Sequence, residues 1–277
     1  MRNLLLSDAH THMGTKKELQ ERRENGIFSL LCATTPPEAE MLLNKTGWMD
    51  HLSSDDSVSG FSCSNQTLIP TCGLHPWYAD RHTVADMKPY LEAVPVIGEI
   101  GMDSVWCSVP TELQKTIFCQ QLELACEMNK PVILHTKGQE KEIAAIIRNY
   151  PNRYLVHWYS CENHLEEYLA LDCYFSIGPD VWWNPTVQQA AKKVPLNWLL
   201  VETDGFSAVK WAWDEAPVQE KPEPARTISD SLQNTIRTVA KLRNLPPETT
   251  AQITRDNLIF GFAFPECTPV STHFSRT

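Results

Sequence analysis

Two histidines stand two residues apart, at His10 and His12, just past the apolar run Leu4-Leu5-Leu6. In an extended chain, residues i and i+2 point to the same face. Both imidazoles can therefore aim into one site, and imidazole is a ligand suited to zinc, manganese and iron. Further donors follow later apolar runs: Glu99 after Gly98, His135 after Leu134, His157 after Val156, and Glu202-Thr203-Asp204 after Val201. A lone histidine in such a place is more often a hydrogen-bonded loop residue than a ligand. The convergence of five groups at five strand ends is what points to a metal site. Three or four histidines with Glu and Asp can hold two divalent cations, and a carboxylate such as Glu99 can bridge them. The chemistry open to such a centre is hydrolysis by an activated water. His51, His82, His164 and His273 lack such positions and read as surface or loop histidines.

Donors so far apart in sequence need a scaffold that gathers them. Strand signals fall at 4–7, 27–33, 68–72, 94–100, 131–134, 154–156, 173–177 and 199–202. Helical patterns fall at 18–25, 36–43, 84–93, 111–129, 140–150, 163–171, 187–193, 225–242 and 247–260. In the clearest of these, Leu113, Ile117, Phe118, Gln121, Leu122, Leu124 and Ala125 recur at helical spacing. The strands read as continuous apolar runs, as strands buried on both faces do. Eight strand signals alternating with helices predict a single α/β domain, a (β/α)8 TIM barrel. In that fold the C-terminal ends of the strands converge on one face, so the metal site is expected there. Residues 1–264 are assigned to the barrel and 265–277 to a short polar tail. The polar stretch 47–66 reads as a long loop, and it and the segment 211–224 are candidates to cover the site or meet a partner.

The composition agrees. The 277 residues suit one barrel, which usually takes about 250. The formal net charge of −10 argues against binding nucleic acid through a basic face alone. It leaves room for an enzyme that meets phosphate through metal ions. No apolar run approaches the roughly 18 residues of a membrane span, and a cytoplasmic protein with no membrane partner is expected. The nine cysteines form no C-x-x-C pair, so reduced thiols are expected rather than a disulfide framework or a thiolate zinc site.

These residues resemble the TatD family of metal-dependent deoxyribonucleases, which belong to the amidohydrolase-like β/α barrels. The resembling segments are SDAHTH at 7–12, GLHP at 73–76, GEIGMD at 98–103, PVILH at 131–135, the His157 segment, VETD at 201–204 and KPEP at 221–224. Thr254, Asn257 and Phe260 loosely match the family's closing pattern. The resemblance implies that His10, His12, Glu99 and Asp204 hold one divalent ion. Glu99, His135 and His157 would hold the other, with Glu99 bridging and Asp204 accepting a proton from the attacking water. It places His75 as a phosphate contact rather than a ligand. The ions implied are Mg, Mn or Zn.

The substrate-facing residues depart from the family. Ser104-Val105-Trp106 follow GEIGMD where aromatic residues and Arg are usual. Lys137 replaces an Arg, which keeps the charge and loses the bidentate fork. His157-Trp158-Tyr159-Ser160-Cys161 stands for HCFSG, and Gly205-Phe206 for Ala-Pro. The expected activity is hydrolysis of phosphodiesters in DNA from single-stranded ends, with His75 and Lys137 on the phosphate. Trp77, Trp158, Trp182, Trp183, Trp211 and Trp213 follow strand ends, where packing over the rim is their ordinary role. Trp77, next to His75-Pro76, is the best candidate to stack on a base. The same barrel can also hydrolyse amides, lactones or aminoacyl esters. A Glu at position 99, where some such enzymes have a carboxylated Lys, disfavours those branches. A non-catalytic scaffold would be expected to have lost a ligand, and none is lost. TatD-like proteins also occur in multi-gene anti-phage systems, whose other components are then candidate partners.

Overall fold

The computed structural model describes residues 4–48, 66–217, 219 and 221–267. Most of the expected loop at 47–66, His51, His273 and residues 268–277 of the tail lie outside the described residues.

Parallel strands form one sheet in sequence order. They are β1 (Ser7–His12), β2 (Phe28–Ala33), β3 (Leu68–Cys72), β4 (Val96–Gly101), β5 (Val132–His135), β6 (Tyr154–Val156), β7 (Tyr174–Ile177) and β8 (Leu199–Val201). Helices run between them on the outside: α1 (Lys16–Glu24), α2 (Pro36–Thr46), α3 (Val84–Ala93), α4 (Thr111–Glu127), α5 (Glu140–Ile147), α6 (Leu165–Leu169) and α7 (Pro185–Lys193). After β8 come α8 (Phe206–Asp214), α9 (Ile228–Arg243) and α10 (Pro247–Asp256), then a π-helical turn at Asn257–Ala263. The result is a nearly closed (β/α)8 barrel, as the alternating pattern predicts. Among the described residues no helix is long and apolar enough to cross a membrane, and the cysteines are free thiols.

Local chemistry sets the helix ends. Thr15 with Glu18 and Thr83 with Asp86 form reciprocal capping boxes at the starts of α1 and α3, satisfying backbone N–H groups that have no helical partner. On α9, Ile228, Leu232, Thr235, Ile236, Val239 and Ala240 form the buried stripe. Ile228, Leu232 and Ile236 pack with Leu6, Ile27 and Val201 into a small core apart from the main one.

The first strand lies later than expected. Leu5 is exposed, and the ladder with β2 begins only at Ser7 opposite Phe28. The strand SDAHTH is polar and still buried over most of its length, because Asp8 and Thr11 find partners inside the barrel. Arg22 of α1 is fully buried and donates to Asp8 Oδ2 (2.7 Å), Ser29 Oγ (3.0 Å) and Thr11 Oγ1 (2.8 Å). Asp8 in turn accepts from the Thr203 amide (2.8 Å) and hydroxyl (2.6 Å). The Asp204 N–H donates to the His10 carbonyl (3.1 Å). This network joins the segment after β8 to β1 at the barrel seam. Helix α8 is not among the expected helices, and only its last residues overlap the segment 211–224; the last expected helix, 247–260, divides into α10 and the π-helical turn.

Candidate metal centre and the cavity above it

Ligand-type side chains come from β1, β4, β5 and the segments just after β6 and β8. Two irregularities aim them. The β1–β2 register shifts between Asp8 and Thr11, around His10, and the β4–β5 register shifts between Ile97 and Ile100, around Glu99. Such shifts re-aim a side chain out of strict alternation. His10, His12, Glu99 and His135 lie within strands, not after them. Gly101 closes β4 at φ +152°, where a β-carbon would sit 1.9 Å from the His135 carbonyl oxygen. Only glycine permits β4 to approach the end of β5 so closely. On the other side, the Cys32 thiol of β2 accepts from the Glu99 N–H (3.0 Å) and donates to the Gly98 carbonyl (3.2 Å).

Glu99 is 2% exposed and divides its two oxygens between two sets of rings. Oε1 lies 2.6 Å from His135 Nδ1, 2.6 Å from His157 Nε2 and 3.6 Å from His75 Nε2. Oε2 lies 3.3 Å from His10 Nε2 and 3.9 Å from His12 Nε2. Asp204 Oδ1 completes the second set, 3.3 Å from His10 Nε2 and 3.4 Å from His12 Nε2. The structure therefore brings together His10, His12, Glu99, His135, His157 and Asp204. Donor atoms of His10, His12 and Glu99, of His10, His157 and Asp204, and of His75, Glu99 and His135 each fall within 4.8 Å of one another.

The donor chemistry fits divalent metal. His10 Nε2 and Asp204 Oδ1 are buried and face each other with no hydrogen-bond partner, an arrangement that an ion would explain. Charge points the same way. Burial and His157 push the His10 imidazolium toward neutrality, yet Glu99 and Asp204 outweigh them and raise its pKa to about 9. Burial disfavours the charge of Glu99, but the histidines around it hold its pKa well below the usual range. A cluster of ionised carboxylates among imidazoles is a cation site, in which metal and protons compete for the ring nitrogens.

His75 is also in the cluster, although the family pattern places it on the substrate. Its Nδ1 accepts from the Trp77 N–H (3.2 Å), so a neutral ring carries its proton on Nε2. Burial lowers its pKa to about 4 against the pull of Glu99, so the ring is a neutral hydrogen-bond donor rather than a charge.

Supporting residues that the motifs contain, but to which the sequence assigned no role, stand one layer out. Asp103 Oδ2 lies 3.1 Å from His135 Nε2 and accepts from the Trp77 indole N–H (2.8 Å). Its Oδ1 accepts from the amides of Val105 and Trp106, both at 2.8 Å. Glu202 is buried, accepts from Ser176 Oγ and has Oε1 3.5 Å from His157 Nδ1. Carboxylates in such places fix a ligand ring's tautomer and orientation. Both are acidic residues inside the GEIGMD and VETD segments, which is the signal that marks them. Asp103→Asn is expected to weaken metal affinity roughly 10- to 100-fold. A chelator-competition titration measures it, and wild-type affinity would show that Asp103 does not orient His135.

The cluster floors a cavity of about 660 Å³. Lys137, Trp77, Trp106, Trp158, Trp183 and Trp211 are in its wall. Lys137 donates to Ser160 Oγ (3.3 Å) and lies 4.6 Å over the Trp106 ring. Trp182 and Trp213 instead line a separate groove with the KPEP segment. His82 and His164 lie outside the centre, and His164 pairs with Glu167 at 2.9 Å.

A nearly closed β/α barrel with a His/Glu/Asp cluster at the C-terminal ends of its strands defines a metal-dependent hydrolase. Residues 7–262 match the family of TatD related DNases, and the chain belongs to that family. An uncharacterized metal-dependent hydrolase of Buchnera aphidicola is 26% identical over 274 residues, covering 94% of this chain and 93% of its own. The 3'-5' ssDNA/RNA exonuclease TatD of Rahnella is 28% identical over 201 residues, covering 68% of this chain and 74% of its own. Among solved structures, the TatD homolog YjjV of Escherichia coli K12 shares the fold. Its TM-score is 0.72 at 20% identity, with 94% of this chain and 99% of that one covered.

Proposed function

We propose that this hydrolase cleaves phosphodiester bonds of DNA, working from single-stranded ends. The observation that carries the reading is the division of Glu99, one oxygen toward His135 and His157, the other toward His10 and His12. It matches the one-carboxylate bridge of a two-ion site. His10, His12, Glu99 and Asp204 would hold one ion, and Glu99, His135 and His157 the other, with Mg, Mn or Zn as the candidates. When bound, the ions lower the pKa of a water and polarise the phosphoryl oxygens. The named activity of the Rahnella relative supports a single-stranded nucleic acid as substrate.

The chain's own residues divide the remaining work. Asp204 is 21% exposed at its side chain, whereas Glu99 is 2% exposed. Water therefore reaches Asp204, which accepts the proton of the attacking water, and Glu99 stays structural to the centre. Burial disfavours the charge of Asp204, but His10 and His12 beside it lower its pKa, so the carboxylate is ionised and ready to accept. Lys137 and His75 open on the same cavity, the first to neutralise a non-bridging phosphate oxygen and the second to donate a hydrogen bond. Trp77 presents a ring whose N–H is tied to Asp103.

The test is metal-stripped protein incubated with end-labelled single-stranded DNA and Mg, Mn or Zn in turn. Metal-dependent shortening from one end is expected. Asp204→Asn should lower turnover by about 10²–10⁴-fold, the usual share of a positioned general base, while metal content is largely kept. Near-native activity in that variant would remove Asp204 from its role. No cleavage by loaded wild-type protein would remove DNA as the substrate.

A further inference from the structure

We infer that the rim above the metal centre recognises a terminal nucleotide by itself, its phosphate at Lys137 and its base against Trp106 and Trp211, without gripping the chain beyond. This rests on the phosphodiesterase reading above and adds what that site would select.

The first observation is charge. Among the described residues lining the cavity, Lys137 is the cation, while Glu38 and Glu140 add acidic groups beside those of the floor. A groove that tracks a single strand is positive along its path. Beyond the metal centre itself, this one offers a single cationic side chain, Lys137, and Glu38 and Glu140 disfavour a second phosphate. The cavity of about 660 Å³ also falls within the roughly 300–1,000 Å³ of a small-molecule pocket.

The second observation is the indole wall. Trp106 is 54% exposed and Trp211 46% exposed, unusually open for rings of this size. Their centroids are 6.0 Å apart in an edge-to-face pair, and Trp211 meets Trp158 in the same way, also at 6.0 Å. Trp158 is anchored at depth, because its N–H donates to the buried carboxylate of Asp180 (2.8 Å). The wall is thus pinned at its base and open at the mouth, as a stacking platform requires. Lys137 lies 4.6 Å over Trp106, so a cation for phosphate and a ring for its base are adjacent. The Ser104-Val105-Trp106 and Trp158 departures from the family pattern build this arrangement together.

The experiment compares kcat/KM of the metal-loaded enzyme on a thymidine dinucleotide, an octamer and a 20-mer, and on 20-mers with an abasic residue at either end. Values per end should agree within about threefold across lengths, since contacts stop at one phosphate. A log–log plot against salt should have a slope near −0.7, the value for one neutralised phosphate on a single strand. An abasic residue at the attacked end should cost roughly tenfold, in the range of a lost base–aromatic stack. Trp211→Ala should erase the difference between thymidine and abasic ends, and Lys137→Gln should flatten the salt slope. A slope steeper than about −2, a steady rise with length, or equal rates on thymidine and abasic ends would overturn the inference while leaving the phosphodiesterase reading intact. Failure to cleave any of these substrates, the dinucleotide included, would instead sink both.

Discussion

Glu99→Gln is expected to leave a folded barrel that has lost both its metal and its turnover. The substitution keeps size and shape, so packing against Cys32 and β5 should survive. It removes the charge that faces His10 and His12 through one oxygen and His135, His157 and His75 through the other. The amide also presents an N–H₂ to one of these sets, where an acceptor stood before. Asp204 makes its ion-pair contacts with His10 and His12 at 3.3 and 3.4 Å and stands farther from His157, within 4.8 Å, so it shares the set that holds His157 only weakly. A loss of about 10³-fold or more in kcat/KM is expected, equivalent to about 4 kcal/mol at 1.36 kcal/mol per tenfold. Elemental analysis should show metal content well below wild type, with the far-ultraviolet circular dichroism unchanged. Stoichiometric metal in a folded Glu99→Gln protein would mean that the two ring sets bind ions without a shared carboxylate.

The largest effect on stability is expected from Arg22→Met. Arg22 and Asp8 are both fully buried, with the guanidinium 2.7 Å from the carboxylate. Taking away the cation leaves the Asp8 carboxylate buried without its counter-ion, held by Thr203 alone, and breaking a buried pair in this way costs about 3–5 kcal/mol. It also removes donors to Ser29 and Thr11. For a domain of this size that corresponds to a fall in the thermal midpoint of roughly 10 °C. The double variant Arg22→Met with Asp8→Asn should lose less than the sum of the single changes, because no unpaired charge remains. Differential scanning calorimetry on all three proteins reads both quantities. An Arg22→Met midpoint within 2 °C of wild type, judged against that roughly 10 °C scale, would show that the pair contributes little to holding the seam.

Much of this architecture could be read from the sequence, for identifiable reasons. Strands β3 and β6 and helix α3 occupy the expected residues: β3 stops before Gly73, β6 is a short apolar run after Pro151-Asn152, and α3 starts at the Thr83 cap. Strand β1 was misplaced because its polar residues are buried on partners distant in sequence: Thr203 lies 195 residues from Asp8. Local hydrophobicity carries no trace of such a bond. The gathering of His10, His12, Glu99, His135, His157 and Asp204 followed from their places at strand ends. The inclusion of His75 in the cluster did not, because it depends on the 3₁₀ turn Pro76–Tyr78, which folds the Trp77 amide back onto its ring. Trp106 likewise entered the sequence reading as a departure from a motif, and its pairing with Trp211 arises only when two rim segments meet.

The seam between β8 and β1 has a consequence for how the protein comes into being on the ribosome. Chains are made from the N-terminus and their parts fold as they emerge. Asp8 and His10 emerge before Thr203 and Asp204, which close the barrel onto them almost two hundred residues later. Until then Asp8 and Arg22 have each other but not Thr203, and His10 lacks the carboxylate that faces it across the site. The carboxylate proposed as the base therefore arrives with the closing segment of the barrel. A nascent or truncated chain that stops short of β8 is left without it, and so is not released as a stray active hydrolase.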